Sequence, residues 1–250
     1  MAEENSDIAN MCAITISREY GSGGGEVAAR LAHRLEWQLI DHEVVVRVAQ
    51  KLRISEEEAE ENDERIDSPL SRFLETLQVI QPTLPLAVNI PTMPNVQVFY
   101  KALTQVIDGV IAKGHVVIVG RGAQAQLAKR RDILHARIVA PIEARIAYVM
   151  GREGLDREAA HERIMQKDAE RARYLEMFYH CRPYDAHLYD VVVNTGVLDL
   201  DSVVETIYFV LERKASKVRV STQELGPVIG LERYPAQPKD FRPPQNATQP

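Results

Sequence analysis

The chain predicts an α/β fold in which a parallel sheet carries helices on both faces. Three observations lead there. Short apolar, β-branched runs alternate with helical periodicities across residues 12–213. The run His115-Val-Val-Ile-Val-Gly120 is apolar almost throughout, as in a strand buried on both faces of a parallel sheet. The first run, Ala13-Ile-Thr-Ile-Ser17, opens into a glycine cluster that leads directly into a helical pattern. That order builds an anion cradle, because glycines let amides turn inward and the helix presents its positive end.

In chain order, residues 12–17 read as a buried strand and 25–36 as a helix with Val27, Leu31 and Leu35 on one face. A short strand follows from Trp37 to Ile40 and ends at Asp41. Residues 42–60 and 68–80 read as helices, the acidic stretch Glu56-Glu57-Glu58 marking a solvated face. Four prolines between Gln81 and Pro94 exclude a regular helix or a central strand there. A helix over 96–113 stops at Gly114. Strands are expected at 115–120, 133–140 (another apolar run) and 191–194, with helices at 141–153, 157–179 and 199–213. Residues 1–11 and the polar, proline-rich 214–250 are expected to be mostly disordered.

With 250 residues, 45% of them hydrophobic, the chain is long enough to bury a core. A net charge of −6 speaks against bulk nucleic-acid binding, yet arginine is dense between Arg121 and Arg182. Two cysteines, Cys12 and Cys181, form neither a disulfide framework nor a zinc spacing. The acidic start is unlike a signal peptide, and no apolar run approaches the ~20 residues of a membrane span. These features predict a cytoplasmic protein that does not bind membranes.

A phosphate loop of the form G-x-x-x-x-G-K-[ST] matches here only in outline. With its second glycine on Gly23, Arg18 takes the first glycine's place, Gly24 the lysine's and Gly25 that of the magnesium-binding hydroxyl. Arg18 is then the nearest candidate for the missing charge, and Ser17, Ser22 or Glu26 for holding magnesium. A rival reading is dinucleotide binding: Gly23-x-Gly25-x-x-Ala28 fits the fingerprint, with Asp41 placed to meet a ribose. Against it, Arg18 to Ser22 intervene between strand and glycines, and the downstream arginines have no work in hydride transfer. Those arginines suit phosphoryl transfer, which needs positive charge around the phosphates. Arg121 emerges at a strand's carboxyl end, Arg145 and Arg152 share a helix face, and Arg163, Lys167 and Arg171 form a stripe beside which Arg173 points elsewhere.

The segments Ile14-Thr-Ile-Ser-Arg-Glu-Tyr-Gly-Ser-Gly-Gly24, Leu39-Ile-Asp41, Val119-Gly-Arg-Gly-Ala123 and Val193-Asn-Thr-Gly196 resemble the cytidylate kinase-like family over residues 12–213. The resemblance implies a three-layer α/β/α P-loop kinase fold. It also implies a helical monophosphate-binding insertion at 41–113 and an arginine-bearing lid at 141–180. It implies transfer of the ATP γ-phosphate to a nucleoside monophosphate of the CMP or dCMP class, with Mg2+. Gly21, Ser22, Gly23, Gly24, Gly25 and Glu26 would wrap the donor phosphates. Asp41 and Arg121 would bind the acceptor. Arg18, Arg152 and Arg171 or Arg173 would close on the transferring group. The missing lysine and hydroxyl leave a second expectation open, a catalytically impaired nucleotide-binding module of the same fold.

Overall fold

The computed structural model describes residues 7–41 and 96–226. The helices expected over 42–60 and 68–80, the proline-rich stretch 81–94 and the chain beyond 226 lie outside the described residues.

Five parallel strands form one sheet, β1 (Ala13–Arg18), β2 (Gln38–Ile40), β3 (Val116–Val119), β4 (Ile133–Val139) and β5 (Val191–Asn194), in the order β2-β3-β1-β4-β5. The helices are α1 (Gly24–Leu35), α2 (Val96–Lys113), α3 (Ala123–Gln126), α4 (Ile142–Glu153), α5 (Arg157–Tyr179) and α6 (Leu200–Ala215). The chain leaves β1 toward β2 and β3, then crosses back over β1 to reach β4 and β5. The winding therefore reverses at the carboxyl end of β1, where open α/β sheets bind their ligands.

The sheet's two faces are packed differently. Ile14, Ile16, Leu134 and Ile138 point toward Val27 and Leu31 of α1 and Val203, Ile207 and Leu211 of α6. Ile40, Ile118 and Ile133 point the other way, onto Leu103, Ile107 and Val110 of α2. Helices on both faces make the expected three-layer α/β/α arrangement. Asp156 and Asp199 start α5 and α6 by accepting the amides of Ala159 and Ser202, each at 2.8 Å.

Three expectations need correction. The 133–140 run is not uniformly apolar, because His135 and Arg137 place buried polar groups beside Thr15 and Ser17 of β1. Packed structure is present before residue 12, with Ile8 and Met11 buried in the core. It also continues past 213: α6 runs to Ala215, Val218 packs on the core, and Arg219 donates to Asn10 at 2.9 Å. A few apolar anchors suffice to dock an otherwise polar stretch. Three short elements also went unanticipated, α3 and the 3-10 turns Ala186–Leu188 and Thr222–Glu224, since none is long enough to show a period. Among the described residues no helix is long and apolar enough to cross a membrane.

His135 ties β4 to its neighbours. Its Nδ1 lies 2.7 Å from the Thr15 hydroxyl, and its backbone N–H donates to Asp190 at 2.8 Å, which pairs with Lys214 at 2.6 Å. Burial, helped by the Lys214 ammonium and opposed by Asp190, holds the imidazole pKa down to about 4. The unfolded chain thus binds a proton between pH 6.5 and 4 that the folded chain refuses, so stability falls as pH drops through that window. Urea unfolding should show a loss on the order of 1–2 kcal/mol from this residue between pH 7 and pH 5. His135→Gln should flatten that slope; an unchanged slope would contradict the assignment.

Candidate active site

Between β1 and α1 the chain runs Glu19-Tyr20-Gly21-Ser22-Gly23, with left-handed backbone at Gly21 (φ +79°) and Gly23 (φ +75°). Neither position accepts a side chain. A Cβ on Gly21 would lie 2.9 Å from Val149 Cγ2, and one on Gly23 the same distance from Leu200 Cδ2. Among the described residues the amides of Gly21, Gly23, Gly24, Gly25 and Glu26 meet no acceptor. Such a row of unpaired donors at the start of a twelve-residue helix is an anion site by construction. The loop is braced from behind: the Ser22 hydroxyl donates to the Glu19 carbonyl at 2.9 Å, and Thr195 Oγ1 donates to the Ser22 carbonyl at 2.9 Å. The Ser22 side chain is buried and spent on this bracing.

Arg18 and Gly24 occupy one another's space. A Cβ built on Gly24 would lie 2.6 Å from Arg18 Cβ and 3.1 Å from its Cγ. The arginine stem therefore passes where a residue-24 side chain would begin. Its guanidinium continues along Gly120 at the end of β3, so tightly that a Cβ there would collide with Nη1. Gly25 differs: nothing lies within 4 Å of a Cβ placed on it.

Three cations meet at the carboxyl ends of β1 and β3. Burial first, then Arg171 and Arg121, brings the Arg18 pKa down to about 9, with Asp41 and Asp168 acting in the opposite sense. Burial also lowers the pKa of Arg121 and Arg171, and nearby Arg137 lowers Arg171 further. Arg121 sits in left-handed backbone (φ +56°) between Gly120 and Gly122, both also at positive φ. Strain of this kind, of order 1–2 kcal/mol, persists only where surrounding structure enforces it. Here Tyr174 and Tyr179 of α5 both donate to the Arg121 carbonyl at 3.4 Å. Arg121 Nε and Nη2 are buried without a hydrogen-bond partner. These two atoms form one edge of the guanidinium, the fork that takes two oxygens of a phosphate or carboxylate.

Arg171 is fixed by donation to the Arg18 carbonyl at 3.1 Å and by stacking 5.3 Å from the Tyr20 ring. Asp168, one turn earlier, accepts the Tyr20 amide at 2.8 Å, pairs with Arg145 and lies 3.6 Å from Arg171. The structure leaves two predicted residues out of the cluster. Arg152 is exposed and tied to Glu26, which also accepts the Tyr148 hydroxyl. Arg173 is exposed, about 200° around the helix from Arg171. Sequence reasoning also missed participants. Arg137 donates to the Ser17 hydroxyl at 3.2 Å and lies 3.8 Å from Glu19, which is equally far from Arg145. A charged residue inside an apolar strand pattern was the available signal for Arg137. Tyr174 and Tyr179 also position Arg121 through its carbonyl.

The strand order counts against the dinucleotide reading. That reading needs Asp41 at the end of a strand adjoining β1, but β3 lies between β1 and β2.

Comparisons with known proteins agree with this geometry. The sequence profile of the cytidylate kinase-like family matches residues 13–197. A cytidylate kinase of Methanocaldococcus jannaschii is 34% identical over 97 residues, 37% of this chain and 54% of that protein. A uronate isomerase of Corynebacterium glutamicum is 29% identical over 109 residues, 44% of this chain and 21% of that protein. The chain thus spans about a fifth and about half of these curated relatives. The crystal structure of an uncharacterized protein from Eubacterium ventriosum superposes with a TM-score of 0.61 at 22% identity, covering 81% of this chain and 99% of that one.

The clash between positions 18 and 24 gives a stability test. Gly24→Ala should cost about 1–3 kcal/mol in denaturant unfolding, since Arg18 Cβ is fixed to the strand and cannot swing aside. In an Arg18→Gly background the same change should cost little. Additive costs in the double-mutant cycle would rule out the shared space.

Proposed function

This chain belongs to the cytidylate kinase-like family, and we propose that it transfers the γ-phosphate of ATP to a nucleoside monophosphate, with the CMP or dCMP class first. The observation that carries this reading is the empty, buried Nε–Nη2 edge of Arg121 beside Arg18, at the same sheet edge as the row of free loop amides. The two features supply an anion holder for each side of a phosphoryl transfer.

In this reading the amides of Gly21 and of Gly23 to Glu26 bind the donor's terminal phosphates. Arg121 grips the acceptor phosphate with its open fork, and Asp41 begins the acceptor-binding region. Arg18 stands for the loop lysine, because its stem fills that residue's place and its guanidinium reaches the end of β3. Arg171 adds charge from the lid region. Arg152 takes part by exchanging Glu26 for phosphate, while Arg173 contributes only through the field of the lid helix. Catalysis is then positioning and charge neutralisation, without a covalent intermediate.

Gly24 and Gly25 support the second reading, a nucleotide-binding module that has lost turnover. A coupled ADP-release assay across CMP, dCMP, UMP and AMP separates the two. Turnover with one acceptor is expected; ATP-dependent thermal stabilisation without turnover would instead favour the module. Arg18→Ala and Arg121→Ala should each lower kcat roughly 10²–10³-fold, as removal of a preorganised charge does, while the melting temperature changes little. Full activity in both variants refutes the site assignment.

A further inference from the structure

We infer that the protein supplies no inner-shell oxygen to a nucleotide-bound magnesium ion, and that its arginines allow the metal-free triphosphate to bind about as well as the magnesium complex. The inference rests on the nucleotide-binding reading above. The first ground is Gly25. It occupies the place of the hydroxyl that phosphate loops give to magnesium, and nothing lies within 4 Å of a Cβ built there. Packing explains glycine at 24 but not at 25, where a threonine fits.

The second ground is that oxygens near the loop are already committed. The Ser22 hydroxyl is buried against the Glu19 and Ile138 carbonyls, and Ser17 Oγ faces Arg137 and the Tyr189 hydroxyl, each at 3.2 Å. Glu19 accepts the Ala140 amide at 3.0 Å between Arg137 and Arg145. Glu26 accepts the Tyr148 hydroxyl, a bond it keeps when Arg152 turns to phosphate, Glu153 is held by Tyr20 at 2.5 Å and Arg163 at 3.2 Å, and Asp168 by the Tyr20 amide and Arg145. Among the described residues no group of three or more His, Cys, Asp or Glu side chains has metal-binding geometry. The site's described residues therefore do not fit a magnesium ion held by the protein.

The third ground is positive. Arg121 and Arg171 repel Arg18 at a sheet edge lined by unpaired amides, so the site gains most from the ligand with the greatest negative charge. A triphosphate without metal is more negative than its magnesium complex, and the guanidinium groups take up the charge the metal would have neutralised.

Isothermal titration of the full chain with ATP, in EDTA and again in excess magnesium, tests this. The two dissociation constants should agree within about threefold, and a magnesium complex bound tenfold tighter or more overturns the inference. Gly25→Thr restores the hydroxyl in open space. It should tighten the magnesium titration by about fivefold or more and leave the EDTA titration unchanged. No gain with this folded variant also counts against the inference, since the metal then lies away from the slot. Binding in neither condition is a separate outcome: it rejects the nucleotide-binding reading, and the inference with it.

Discussion

Like charges held together at the carboxyl end of β1 govern this site. Arg121 and Arg171 stand close enough to Arg18 to lower its pKa, and Asp41 and Asp168 act in the opposite sense. Burying guanidinium groups beside one another is costly, and the cost falls when an anion arrives. The left-handed backbone of Arg121, its unpartnered guanidinium edge and the unpaired loop amides lie at the same end of the sheet. Unpartnered donors of this kind are costly when buried, and the oxygens of an anion would satisfy them.

The scaffold that holds these charges apart from water is rigid where the loop meets α4 and α5. Ile146, Val149, Ala160 and Ile164 join the two helices in a small core, against which Tyr20 and Tyr148 pack. From there Asp168 accepts the Tyr20 amide at 2.8 Å, and Arg145 donates to the Tyr20 carbonyl at 3.3 Å. Helices α4 and α5 are thus docked on the loop through both backbone groups of one residue. Arg171 is placed by this docking, and Arg121 by the two tyrosines that follow it on α5. A single helix therefore positions two of the three clustered arginines.

Much of the fold was legible because its signals are local. The β-branched runs of β1 and β3 and the fourfold spacing of Val27, Leu31 and Leu35 each report a neighbour a few residues away. The site was legible where it is built from one segment, as in the glycine loop and Gly120-Arg121-Gly122. It was not legible where partners are far apart in sequence. Arg137 meets Ser17 across 120 residues, Asp168 meets Tyr20 across 148, and Arg18 excludes a side chain at Gly24 only because of how β1 and α1 fold together. That Arg152 pairs with Glu26 was hidden for a related reason: helical spacing gives a residue's face but not the element that face meets.

A crystal structure of the chain with a non-hydrolysable ATP analogue measures the central claim directly. The terminal phosphates should lie on the amides of Gly21 and of Gly23 to Glu26, with the Arg18 guanidinium against the γ-phosphate. Phosphates bound elsewhere, or an Arg18 side chain turned away from them, would contradict it.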